Sequence, residues 1–276
     1  MLKTRIITGA VITVVLALVM LFSHIPWVLS LTVAALSVQA IYEFYRATKL
    51  KDNKAVYYIS CAVAVLLSVI TIPHFKYIVI LFFIAAISLF AYLMLNIGNL
   101  REIKSWIVVC VASMIVIFFK CMTGIRAMDG GLYLLGMTIL VPVITDIFAY
   151  FIGRSCGKHK LAPVISPKKT IEGSIGGTVY AVAILALIST ILKVTNVLDV
   201  SYETLILYVI LASVVGQFGD LALSSVKRIV GVKDYGNLLP GHGGILDRFD
   251  SLLFVLPFTY LFFKLVGYII CLKEVL

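Results

Sequence analysis

Nine apolar stretches, each close to the length of a bilayer crossing, constrain this chain more than anything else in it. They run from roughly 6 to 22, 27 to 45, 55 to 73, 77 to 97, 105 to 123, 131 to 152, 174 to 193, 204 to 226 and 251 to 272, with polar punctuation between them. A membrane helix needs about 20 mostly apolar residues. A soluble core could not absorb nine of them. Composition agrees: 62% of the 276 residues are hydrophobic and 13% are charged, the latter roughly half the usual share of a soluble domain. A water-soluble globule, a disordered chain and a collagenous repeat are all excluded on these grounds. The expected fold is therefore all-α and polytopic, with about nine transmembrane helices. The first run follows Lys3 and Arg5 as a secretory signal would, but no small-residue cleavage site precedes His24 and Pro26, so it is read as a span.

Lysine and arginine set the expected orientation, because short basic loops stay in the cytoplasm. With the N-terminus inside, 17 of the 23 basic residues fall on the inner side and 6 on the outer: Lys76, Lys120, Arg126, Lys193, Lys264 and Lys273. This predicts a cytoplasmic N-terminus, an external C-terminus and both long polar loops in the cytoplasm. A net charge of +10 is explained by topology and by anionic lipid or phosphate. Nucleic acid is not expected as a partner, since the aromatics lie in apolar runs rather than among basic residues. The five cysteines show no CxxC and no repeated spacing, and read as small hydrophobes. Residues 1–123 hold almost no ionisable group within an apolar run and read as a five-helix scaffold; residues 124–276 read as a four-helix catalytic region with cytoplasmic loops 153–173 and 227–250.

An ionisable residue in a span is a functional hypothesis, because a charge at membrane depth costs at least about 2.5 kcal/mol. Asp146 and Asp220 qualify. Gln217, Asp220, Ser224 and Lys227 form one polar stripe on their helix, and Thr145, Asp146, Tyr150 and Arg154 share a face of theirs. Either could instead be a buried polar group that fixes helix packing. The segment 224–250, SSVKRIVGVKDYGNLLPGHGGILDRFD, combines Lys227, Arg228, Lys233 and Arg248 with Asp234, Asp247 and Asp250, and places His242 before Gly243 and Gly244. Cations neutralise phosphate, glycines let backbone N–H groups approach its oxygens, and carboxylates hold the Mg²⁺ that bridges them. Asp247 and Asp250 are three apart and can share a side of the last helix at its first turn; one of them could merely cap it. In the loop 153–174, Ser166, Lys168, Lys169 and Thr170 could bind a polyphosphate, although the positive-inside rule alone accounts for lysines there. Gly173 and Gly177 form a small-xxx-small pair for tight helix packing. His159 and His242 lack partners at zinc spacing.

These residues resemble the signature of the CDP-diacylglycerol synthases, the phosphatidate cytidylyltransferases. S-x-V-K-R, K-D-x-G and L-P-x-H-G-G-x-x-D-R-x-D match within Ser224 to Asp250; D-x-x-A-Y-x-x-G-R matches Asp146 to Arg154, and S-P-K-K-T-x-E-G matches Ser166 to Gly173. The likeness covers about 140 to 250. It implies an inner-membrane, Mg²⁺-dependent, dimeric enzyme that condenses CTP with phosphatidate at the cytoplasmic face, giving CDP-diacylglycerol and pyrophosphate; a second cation is left open. It makes Asp220 and Asp247 metal ligands, with Asp250 a further candidate. Lys227, Arg228 and Lys233, with Asp234, His242 and Arg248, join the catalytic set; Asp146, Ser166, Lys168, Lys169, Ser224, Gly243 and Gly244 bind substrate. Two rivals remain: a transporter, which predicts interrupted half-helices, and a CTP-dependent polyprenol kinase, which would move the γ-phosphoryl group. A purely structural membrane protein would have no use for so dense a set of cations and carboxylates.

Overall fold

The computed structural model describes residues 2–48, 54–70, 72, 74–97, 105–197, 199–241, 243–266 and 270–271. Each predicted run is a helix: α1 Leu2–Leu21, α2 Pro26–Ala47, α3 Lys54–Val69, α4 Phe75–Leu95, α5 Ser105–Arg126, α6 Gly131–Cys156, then, after the hairpin strands β1 Lys160–Ala162 and β2 Ser166–Thr170, α7 Ile171–Val194; β3 Asp199–Val200 precedes α8 Tyr202–Val230 and α9 Leu246–Leu265, and β4 Ile270–Cys271 pairs antiparallel with β3. Among the described residues, α2, α4, α5, α6, α7 and α8 are long and apolar enough to cross a membrane. Ile7–Leu21 and Val56–Val69 are shorter apolar segments.

The packing follows from how apolar each helix is around its circumference. α9 is apolar on nearly all sides below its first turn and is buried from Leu246 to Phe263 with few exceptions, as expected of a helix without a polar face. It is the central pillar, touched by α2, α4, α5, α6 and α8. The outer helices turn large apolar side chains outward, Val11 and Leu18 on α1, Leu81 and Ile84 on α4, and Ile175, Val179 and Leu187 on α7. In water such a surface would be untenable; facing lipid it costs nothing. The expected small-residue contact between α6 and α7 is present: a Cβ on Gly173 would come within 2.5 Å of the Ala149 carbonyl, and one on Gly177 within 2.5 Å of that of Thr145.

The structure departs from the sequence reading at both ends of α9 and before α7. The ninth apolar run is expected to reach 272, but α9 ends at Leu265 and Ile270–Cys271 is a strand. α9 begins at Leu246 rather than 251, because its first turn carries Asp247, Arg248 and Asp250 and so has no apolar signature. The basic segment before α7 is a β-hairpin rather than a loop, with Lys160 opposite Thr170 and Ala162 opposite Ser166.

Candidate functional site

The hairpin and three helices bring the polar residues together. α8 approaches α9 closely at Gly219, where an added Cβ would lie 2.8 Å from Phe254 and 3.0 Å from the Asp250 carbonyl oxygen. That proximity sets Asp220, one residue on, beside the head of α9. β2 then delivers Lys169, whose ammonium makes an ion pair with Asp220. Burial pulls the Lys169 ammonium toward neutrality, but the carboxylates of Asp220, Asp146 and Asp250 outweigh it, and its pKa lies above the ordinary lysine value. One cation thus faces carboxylates from α6, α8 and α9. Around it Ser224 donates to Asp220 at 3.2 Å and Ser251 donates to Asp146 at 3.3 Å. The polar stripe of α8 is real: Gln217 bonds Ser174 and Thr178 of α7, and Lys227 bonds Asp247 at 3.0 Å.

The cluster opens into a cavity of about 600 Å³ whose lining includes Asp146, Arg154, Lys160, Lys168, Lys169 and Asp220. The hairpin that forms its rim is tied down at several points. Thr170 caps α7 by accepting from the Gly173 N–H at 3.2 Å, Glu172 accepts from the backbones of Lys158 and His159 and pairs with the His159 ring at 2.6 Å, and Arg228 donates to the Ile165 carbonyl at 3.0 Å. Ser166 does not line this cavity. It lies at the start of β2, opposite Ala162.

The signature loop builds a second cavity of about 670 Å³, lined among others by Lys233, Asp234, Gly243 and Arg248. Of the predicted site residues, Asp146, Lys168, Lys169 and Asp220 line the first cavity and Lys233, Asp234, Gly243 and Arg248 the second, whereas Ser224, Lys227, Arg228, Gly244, Asp247 and Asp250 line neither. Asp247 belongs to the loop itself. Its Oδ1 accepts from Lys227, and its Oδ2 accepts from the backbone N–H groups of Tyr235 at 2.8 Å, Gly236 at 3.3 Å and Gly244 at 3.0 Å. The Gly244 N–H, expected to face substrate, is spent on this internal carboxylate. Asp247 does not act as the side-chain N-cap of α9. Tyr235 is buried beneath it and donates to the Leu223 carbonyl at 2.7 Å; burial, with Asp247 and Asp250 beside it, pushes its phenol well above the ordinary range. Lys227 reaches both Asp247 and, at 4.0 Å, Asp250. His242 lies outside the described residues.

One site residue escaped sequence reasoning. Glu43, near the end of α2, is 1% exposed, and its carboxylate accepts from the backbone N–H groups of Ile245 at 3.0 Å and Leu246 at 2.9 Å. A side chain 200 residues distant thus supplies the cap that the start of α9 lacks locally. Gln39 holds it with a 2.9 Å bond to Oε1. Its signal was available: a lone carboxylate inside the second apolar run.

Among the described residues, no three His, Cys, Asp or Glu side chains form a ready metal cage. The donors suit Mg²⁺ nonetheless, because that ion takes one or two carboxylates and completes its shell with water and substrate phosphate. Asp220 and Asp250, hard oxygen donors on facing helices with an ammonium between carboxylates, fit that description. Asp247 fits it less well, since besides Lys227 it accepts from three backbone N–H groups of its own loop and lines neither cavity.

Six apolar helices long enough to cross a bilayer, with an acid–lysine cluster seated where three helices meet, define a multi-pass membrane protein with a polar cluster held among its helices. The helices that carry Asp146 and Asp220 are continuous, against the transporter expectation of interrupted ones. The profile of the cytidylyltransferase family matches residues 3–266, and the chain belongs to that family. It is similar to the phosphatidate cytidylyltransferase of Bacillus subtilis (strain 168), 36% identical over 269 residues, covering 94% of this chain and 96% of that one. Those named phosphatidate cytidylyltransferase in Staphylococcus saprophyticus and Staphylococcus haemolyticus are 46% and 47% identical over 127 and 149 residues, covering 46% and 54% of this chain and 47% and 55% of theirs. The protein is a nucleotidyltransferase.

Proposed function

We propose that the chain transfers the cytidylyl group of CTP to phosphatidate, giving CDP-diacylglycerol and pyrophosphate, at the cytoplasmic face of the inner (plasma) membrane. The observation that carries this is the Lys169 ammonium set against Asp220 with Asp146 and Asp250 around it, at the mouth of a basic cavity between membrane helices. Full-length similarity to a relative named for this reaction supports it. All nine helices span the membrane in this reading, with the N-terminus inside, as the 17 to 6 distribution of basic residues favours. The functional unit is a homodimer.

A phosphate oxygen of phosphatidate attacks the α-phosphorus of CTP, forming a new P–O bond as the bond to the bridging β-phosphate oxygen breaks and pyrophosphate leaves in line. A phosphate monoester is already anionic near neutrality, its second pKa being about 6, so no strong general base is needed. The chain contributes position and charge. Lys168, Lys169, Lys160 and Arg154 neutralise the triphosphate in the 600 Å³ cavity. Lys233 and Arg248 present positive charge in the neighbouring cavity, where Gly243 leaves room for a phosphate head group. Asp220 and Asp250, with Asp146 behind them, would hold Mg²⁺, which would supply positive charge to offset the negative charge developing on pyrophosphate. Asp247 shapes the signature loop around them. Acyl chains stay beside the apolar helices while the head group enters.

The test is purified protein with Mg²⁺, phosphatidate and CTP labelled at the α-phosphorus. Labelled lipid with release of pyrophosphate is the expected result. Lipid labelled only from γ-labelled CTP would replace this reading with kinase chemistry.

A further inference from the structure

A further basic cavity lies at the far ends of α2 and α9, whose other ends meet at the signature loop. It occupies about 590 Å³ and is lined by Lys120 and Arg126 of α5, Lys264 of α9 and His24, with apolar walls that include Leu29 and Phe75. Asp247 heads α9 and Lys264 lies in its last turn; seventeen residues at about 1.5 Å each put roughly 26 Å between them, close to the ~30 Å of a bilayer's hydrocarbon core. This cavity and the acid–lysine cluster therefore sit at opposite membrane borders.

Its charge is the informative property. Of the six basic residues on the sparsely charged side, three converge here. No carboxylate is among the lining residues, and among the described residues none pairs with Lys120, Arg126 or Lys264. A single cation at a helix end is ordinary compensation for exposed carbonyls, and Lys120 does donate to the Ser68 carbonyl near the end of α3 at 3.0 Å. Yet Lys120 is only 8% exposed, and a cation buried without a counter-charge is costly unless an anion joins it. Arg126 uses Nε to hold Ser23 at 2.9 Å, which leaves its terminal nitrogens for a ligand. Buried lysine, a braced guanidinium and a flexible third cation beside an apolar wall suit a phosphate that carries acyl chains.

We infer that this cavity binds the phosphate of an anionic phospholipid from the leaflet opposite the reaction centre. The ligand is a structural lipid, not a substrate. A free phosphate would satisfy the cations but not the apolar walls.

The test uses the full chain in phosphatidylcholine nanodiscs doped with photoactivatable phosphatidylglycerol, with cross-linked peptides mapped by mass spectrometry. Label is expected on the end of α5, the start of α2 and the end of α9. Arg126→Gln with Lys264→Gln should lower that labelling about tenfold, while cytidylyl transfer is retained. Charge-conserving Arg126→Lys with Lys264→Arg should keep the label, which guards against a variant that merely misfolds. Equal labelling in the neutralised variant would overturn the inference, as would equal labelling by a photoactivatable phosphatidylcholine. Loss of label on adding inorganic phosphate would assign the cavity to a free anion and overturn the lipid reading too.

Discussion

At the scale of single residues, Asp220 and Asp247 differ in what their oxygens already do. Asp220 faces Lys169 and a cavity, whereas Asp247 is enclosed by Lys227 and three backbone N–H groups. Asp220→Asn should therefore lower turnover about a hundredfold or more, the scale of losing a principal electrostatic contact in a reaction centre, and leave thermal stability in detergent near that of the parent. Asp247→Ala should lose both, since it strands a buried lysine and three amide donors; breaking a buried pair of this kind costs about 3 kcal/mol or more. Thermal unfolding and label transfer measured side by side separate the two, and an Asp247→Ala protein as stable as the parent would refute its organising role. Lys168 is exposed on the cavity rim. Lys168→Ala should raise the CTP concentration needed for half-maximal rate about tenfold with a smaller effect on the maximal rate; unchanged CTP dependence would remove it from the nucleotide site.

At the scale of elements, the proposed reaction centre depends on how α9 begins. Its head has no cap of its own, and Glu43 of α2 supplies one. Glu43→Ala should destabilise the protein by about 2 kcal/mol, the upper range for a lost cap, and reduce turnover because Asp247 and Asp250 lie on the turn it anchors. Gly244 adds a check, because a Cβ there would come within 2.3 Å of the Glu43 carboxylate. Gly244→Ala should be damaging alone and much less so in the Glu43→Ala background, a coupling of about 1 kcal/mol or more in thermal unfolding. Additive effects would show that the two do not share a contact. This dependence explains why the helices were legible in the chain while the site was only partly so. Hydropathy reports burial in lipid, and each of nine apolar runs became a helix. It is silent where a helix starts on charge, so α9 began five residues earlier than expected. The cluster of Lys169 with Asp220 was foreshadowed by residue type and spacing, but the contact between α2 and the signature loop joins residues 202 apart, and no local pattern encodes such a pairing. Nor did the basic S-P-K-K segment, without apolar alternation, announce a strand.

At the scale of the whole molecule, the proposed topology assigns a side of the membrane to every loop, and that assignment can be checked without substrate. α2 and α9 run antiparallel with respect to the reaction centre: α2 ends there at Glu43 and Arg46, and α9 begins there. Pro26 and Lys264 accordingly share the other end, at the further basic cavity. The proposed nine crossings with the N-terminus inside would put the hairpin and the signature loop in the cytoplasm, where CTP is, and the turn after α5 outside. The measurement is impermeant thiol labelling of intact cells, made in a chain whose native cysteines are replaced by serine or alanine. Cysteine at the exposed Ala127 should label from outside, whereas cysteine at Lys158 or Asn237, exposed on the hairpin and on the signature loop, should label only after the membrane is opened. Labelling of Asn237→Cys in intact cells would invert the topology and place the carboxylates away from the nucleotide supply. Labelling of both Ala127→Cys and Asn237→Cys from one side would mean that α6, α7 and α8 between them do not make an odd number of crossings and, since Ala127 lines the same cavity as Lys264, would leave the head and tail of α9 at one border and remove the geometric basis for cavities on opposite leaflets.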